Sequence, residues 1–308
     1  MNNTKEITGI RAKKEFMNFL EAIEIKDLFD TKVEGKFFLI KYTYERSREE
    51  ELLSFIFDNI TTYSLTKEER DRLSPERADE IMKLGRLAIQ RFVTQSTTGE
   101  VGEIILFHLL ECWEGAVQIV NKMALKTSGG MPVFGLDALH FKIDNATKVL
   151  YLGESKTGLK FSEVLKKSLD GTKEYYQKQK KEFDINLASA NISEDIPEET
   201  RKAIKEYLNP CKEDLSDFKE THAIFLGFQT DFLKEFETKY SGKELVEKVI
   251  ESYRTEIQEY LQQIELKFND YPELKEKRFI FFVIPFKELK GLRERFSKAV
   301  QNGTKINI

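Results

Sequence analysis

Residues 135–156 constrain this chain most. Two apolar runs, 136–143 and 149–152, flank Asp144-Asn145-Ala146-Thr147, a polar turn-forming set. Apolar runs joined this way read as a β-hairpin. Side chains alternate across a strand, so Glu154 and Lys156 share one face and Ser155 takes the other. Asp137 sits in the partner strand, within reach of Glu154 if the hairpin bends near Gly135 or Gly153. A run such as Val149-Leu150-Tyr151-Leu152 does not end in a buried carboxylate and ammonium without a reason. Two carboxylates and a lysine around one point can hold a divalent cation against a phosphodiester. Oxygen ligands suit magnesium, with manganese as the alternative. Metal and lysine together can supply a hydroxide and stabilise the phosphorane.

A helix precedes the hairpin. Thr97-x-x-Glu100 reads as a capping box at its start, and the box accounts for Glu100 by itself. Glu103 lies among Val101, Ile104 and Ile105, where a carboxylate is costly unless paired or bound to metal. It is a candidate ligand or supporting group. His140, three residues after Asp137, points to the opposite face of a regular strand unless a bulge brings it round. Packing and a supporting role are both open to it. Three histidines and two cysteines, far apart, give no zinc spacing. Gly129-Gly130 is not followed by Gly-Lys-Ser/Thr, so it is no phosphate loop.

Taken together, GEVGEIILFHLLE (99–111), GLDALH (135–140) and YLGESK (151–156) resemble the nuclease domain of the HamA family. These are effectors of the Hachiman anti-phage system, with a core like that of the PD-(D/E)XK nucleases. Leu136 stands where that superfamily carries its proline, which is not a ligand. The resemblance implies magnesium-dependent cleavage of DNA. Asp137 and Glu154 would hold the metal with Glu103 assisting, Lys156 would be the catalytic lysine, and Glu100 and His140 would support them. It also implies a helicase partner of the HamB type that restrains the nuclease.

A net charge of −4 excludes a general polycation, so any DNA contact must come from a local patch. Residues 156–181 supply one, and Lys160, Lys166, Lys167 and Lys173 are its expected phosphate contacts. The plain alternative is a solvated helix face. Tyr175 and Tyr176 beside it could stack on bases or simply pack. Cys112 and Cys211 give no disulfide framework, and the N-terminus has no apolar signal core. A soluble, cytoplasmic protein is expected.

The expected fold is α/β (an α+β mixed sheet) in two parts. Residues 1–95 form an accessory or partner-binding region without a catalytic cluster. Residues 96–308 form the nuclease-like core: a helix, an antiparallel meander carrying the site, a helix, then strands near 221–228 and 278–286. Residues 1–34 are expected to be partly helical, with Phe16, Phe19, Leu20 and Ile23 at helical spacing. A strand follows at 36–44, then helices after the capping signatures Ser47-x-x-Glu50, Thr66-x-x-Glu69 and Ser74-Pro75. Residues 116–125 read as the first core strand, with helix left open. Residues 182–218 read as irregular but for a short helix at 198–208, and 243–268 as a long amphipathic helix. Two rival functions fit the same residues: a non-catalytic nuclease-fold module that binds DNA or a helicase, and an enzyme acting on RNA.

Overall fold

The run Arg278–Phe286 is buried at every position but its first, as a strand covered on both faces must be. It lies inside a seven-stranded sheet. The strands are β1 (Leu20–Leu28), β2 (Val33–Ile40), β3 (Val117–Gln118), β4 (Ala138–Asp144), β5 (Thr147–Gly158), β6 (Phe218–Gln229) and β7 (Arg278–Phe286), in the order β1-β2-β7-β6-β5-β4-β3. The computed structural model describes residues 15–29, 32–72, 78–92, 99–125, 135–144, 147–177, 180–193, 196–209, 211 and 215–303. The centre, β2-β7-β6-β5, is parallel. Both flanks, β1-β2 and β5-β4-β3, are antiparallel. Chain and sheet thus form the mixed α/β architecture expected above.

The helices are α1 (Glu49–Asp58), α2 (Ile60–Ser64), α3 (Lys67–Asp71), α4 (Ala78–Gln90), α5 (Glu100–Cys112), α6 (Lys122–Leu125), α7 (Phe161–Gln177), α8 (Lys180–Ala190), α9 (Glu198–Tyr207), α10 (Asp231–Lys239), α11 (Gly242–Phe268) and α12 (Leu289–Asn302). One sheet face packs on α5, α1 and α12 through Phe38, Tyr151, Phe225 and Phe282. The other packs on α7 and α11 through Phe37, Ile224, Leu226 and Phe281. Helix α5 is apolar nearly all round and is accordingly buried. It comes very close to β5: a Cβ on Gly102 would lie 2.3 Å from Ser155 Oγ. Only glycine lets the helix sit there without a shift.

The first 34 residues depart from the helical expectation. Among the described residues of this segment, only 15–17 are helical, and Leu20–Leu28 is an edge strand along β2. Phe16 and Phe19 still enter the core beside Phe55. The segment Leu-Glu-Ala-Ile-Glu-Ile alternates as an edge strand does, and a register shift between Ala22 and Glu24 interrupts the period. The boundary expected near residue 95 does not divide the sheet, because β2 pairs with β7 from Val33↔Phe279 to Phe37↔Val283. Residues 116–125 become a two-residue strand and a short helix. There the Asn121 side chain accepts from the Ala124 amide at 3.0 Å and donates to the Leu65 carbonyl at 2.9 Å. Residues 182–190, expected irregular, lie in α8.

The capping signatures split. Thr66 and Glu69 make both bonds of the box, at 3.2 and 2.8 Å. Ser47 and Glu50 do not: α1 starts after Arg48, the Ser47 amide donates to Glu237, and Glu50 pairs with Arg295 at 2.5 Å. Ser74-Pro75 and Thr97 lie outside the described residues.

Glu49 ties α1 to the end of the sheet. It is 3% exposed and accepts from the Lys287 amide at 2.6 Å. Burial pushes its carboxyl up to about 7, against the pull of the Lys287 amide and ammonium. A carboxyl raised on folding contributes its stability below the ordinary carboxylate range and loses it as pH rises through the folded value. Glu49→Gln keeps the acceptor and removes the charge. The variant is therefore expected to exceed the wild type in stability at pH 8 by up to about 3 kcal/mol, with the gap closing towards pH 4.5. Urea unfolding across that range measures it, and a pH-independent difference would contradict it.

Candidate active site

The β4-β5 pairing sets the site. Ala138 faces Gly153, so one step further on Asp137 lies opposite Glu154, and residues directly opposite share a face. The approach to Asp137 is fixed at three points. Gly135 has φ +114°, and a Cβ there would meet Asp184 Oδ1 at 1.8 Å. The Leu136 amide donates to Asp184 Oδ2 at 3.1 Å. The Asp137 amide donates to the Gly153 carbonyl at 3.0 Å. The Ser155 amide then donates to Asp137 Oδ2 at 2.8 Å, which orients the carboxylate from the backbone of β5.

Glu154 and Lys156 share the α7 face and are bonded to each other, Nζ to Oε1. Gly171 of α7 passes beside them: a Cβ there would sit 3.4 Å from Glu154 Oε1. Burial first, and the Asp137 charge next, hold the Glu154 carboxyl well above the ordinary range. Burial works against the Lys156 ammonium, but Glu154 and Asp137 outweigh it and hold its pKa above the usual lysine value. These side chains face a cleft of about 360 Å³ that Leu136, Lys167, Gly171 and His222 also line. His222 stays neutral, since burial lowers its pKa to about 3, and its Nε2 shares a 2.8 Å hydrogen bond with the Tyr176 hydroxyl.

The other expected residues fall around this centre. Glu103 accepts from the Tyr63 hydroxyl at 3.3 Å and is felt electrostatically by Lys156. Glu100 is buried on the same helix. Among the described residues, no three carboxylate, imidazole or thiolate groups are gathered closely enough to hold a metal by themselves. Glu103 thus does not form such a group with Asp137 and Glu154. His140 pairs with Tyr151 on the α5 face, is fully buried, and meets the Phe107 ring edge-on at 5.7 Å. It lies away from the Glu154 face, as the odd spacing requires.

Of the expected phosphate contacts, Lys160 and Lys167 are exposed and Lys167 lines the cleft. Lys166 pairs with Asp170 at 2.8 Å and Lys173 with Glu273 at 2.7 Å. Such surface pairs are weak, so a phosphate could displace them. Tyr175 is packed inside, whereas Tyr176 is partly open.

Three residues escaped the sequence reading. Tyr63 comes from the first third, which was expected to hold no part of a site, yet it contacts Glu103. Asp184 reaches Gly135 from α8. Lys122 is the third. Its ammonium is buried, and the charges of Asp184, Asp137, Glu103 and Glu154 pull its pKa up against that burial. No local pattern marks such long-range partners. Only the apolar setting of Lys122-Met123-Ala124-Leu125 hinted that its lysine was enclosed.

Fold and site together define a mixed α/β protein with a cleft lined by carboxylates and lysines where a parallel sheet turns antiparallel. The chain belongs to the HamA family, whose family model matches residues 14–300. Membership supports a role in Hachiman antiviral defence. No curated protein matches the chain. Among the described residues, no helix is long and apolar enough to cross a membrane.

Proposed function

We propose that the chain is the nuclease effector of a Hachiman system, a PD-(D/E)XK-like enzyme that hydrolyses DNA phosphodiesters with a divalent metal. The facing of Asp137 and Glu154, with Lys156 on the same side as Glu154, carries this reading. The donor set fits magnesium, which is bound by one or two carboxylates and completes its shell with waters and phosphate oxygens. Asp137 and Glu154 would hold the ion, with manganese as an alternative. When bound, it would supply charge neutralisation and an activated water.

The chain's own groups do the rest. The Ser155 amide keeps Asp137 aligned. Lys156 would place the attacking water and stabilise charge on the phosphoryl oxygens. Lys167, with Lys160, would steer the backbone towards the cleft without reading bases. A HamB-type helicase is the proposed partner and restraint, on family grounds alone.

The protein, purified with whatever accompanies it from cells, is expected to degrade plasmid in magnesium or manganese and to leave it intact in EDTA. Plasmid that survives magnesium, with and without the copurifying protein, would favour the binding-module alternative.

A further inference from the structure

A second cavity, of about 320 Å³, adjoins the cleft at the start of β6 and β7, and His222 borders both spaces. Tyr175 lines the first and Tyr176 the second, so the end of α7 runs along the two. The β5-β6 register sets Leu152 beside His222 and Glu154 beside Ile224. Side chains two apart share a face, so Glu154, Lys156, His222 and Glu220 stand on one side of the sheet.

The charges that line this second cavity do not cancel. Its carboxylates are already taken. Glu220 accepts from Lys181 at 2.5 Å and from the Tyr207 hydroxyl, and Glu276 pairs with Lys32 at 2.5 Å. Its cations are not: among the described residues, Lys219, Lys277 and Arg278 have no ion pair. Lys277 is also seated. It is half-buried, and its ammonium lies over the Tyr176 ring, 4.6 Å from the centroid. The Tyr176 hydroxyl in turn shares its hydrogen bond with His222. An ammonium placed on an aromatic face is held without being neutralised, so its charge stays available to an anion.

We infer that the second cavity is a phosphate subsite for the DNA strand, in which Lys277 and Arg278 hold the backbone a few nucleotides away from the phosphodiester at Asp137 and Glu154. The inference rests on the nuclease reading above. Arginine grips phosphate oxygens with its fork and lysine as a point charge, so the pair suits a backbone phosphate. Lys167 on the cleft and Tyr176 are nine residues apart on α7, a rise of ~14 Å. That matches about four steps of a strand at ~3.4 Å each. A backbone that enters past Lys160 and Lys167 would thus cross the carboxylates and be held again at Lys277.

Lys277→Gln with Arg278→Gln would be made in the full chain. Lys234→Gln with Lys298→Gln would be the control, removing the same charge from exposed lysines on α10 and α12. Binding of a short fluorescein-labelled DNA duplex would be followed by anisotropy in EDTA over a range of salt, and single-turnover plasmid cleavage in magnesium. The subsite pair is expected to weaken binding at low salt by about 10-fold or more. It should also lower the salt slope by ~1.8, about 0.9 for each contact. The cleavage rate at saturating protein should stay within about twofold of wild type, with the loss confined to the half-saturating concentration. The control should bind like the wild type. Equal losses in both pairs would reduce the effect to net charge and overturn the subsite, as would a subsite variant that binds like the wild type. A wild-type protein that binds the duplex through these residues but cuts with no metal would keep the phosphate subsite and remove the nuclease reading.

Discussion

Lys156→Ala and Glu154→Ala are each expected to lower single-turnover cleavage by about 10³-fold while leaving the fold intact. The size follows from what the two groups do. Glu154 lies opposite Asp137 and borders the cleft, and Lys156 is bonded to it there. Stability should hold because both side chains border a cleft rather than the core, with 19% and 29% of their side-chain surface exposed. The carboxyl left behind by Lys156→Ala is already held high enough to take up a proton, so it need not remain as a stranded charge. Circular dichroism, melting and cleavage on the same preparations would check this. Folded variants that cut like the wild type would take both residues out of the site.

The second large effect concerns the backbone that leads to Asp137. Gly135→Ala meets two obstacles. Its φ of +114° is one that L side chains rarely adopt, and the new Cβ would overlap the buried Asp184 carboxylate. A loss of about 2–5 kcal/mol is expected, together with most of the cleavage activity, since Asp137 is two residues on. Asp184→Ala in the same chain should relieve the overlap but not the strain, and it also strips the Leu136 amide of its acceptor. The double variant should therefore recover only part of the stability. Urea unfolding of the four proteins in this cycle gives the coupling directly. A Gly135→Ala protein within about 0.5 kcal/mol of wild type would mean that Asp184 yields freely.

The hairpin was legible because alternation and turn chemistry are local. Once β4 and β5 are joined through residues 144–147, counting back fixes Asp137 against Glu154. Strands β6 and β7 were legible as unbroken apolar runs. Strand β1 was not, because an edge strand with one wet face and a register shift mimics helical spacing. The capping signatures show the same limit from another side. Thr66 kept its box, while Ser47 and Glu50 were claimed by Glu237 and Arg295, 190 residues or more away in sequence. Tyr63 reaches Glu103, and Asp184 reaches Gly135 and Leu136, by the same kind of long-range contact. The chemistry of the central residues could be read from their types and spacing, but the residues that hold and charge the site had no local signature.

The pairing of β2 with β7 has a consequence for the order in which the protein can come into being. During synthesis β2 emerges early, yet its inner neighbour is made more than two hundred residues later. Strand β6 waits for the same partner on its outer side. Hairpin β4-β5 and its carboxylates can form beforehand, but the sheet that backs them stays in two pieces with bare edges until β7 is complete. Contacts of such long sequence separation close slowly. For a chain of this proposed activity that amounts to a temporal safeguard: the cutting centre gains its full support only when nearly all of the polypeptide exists.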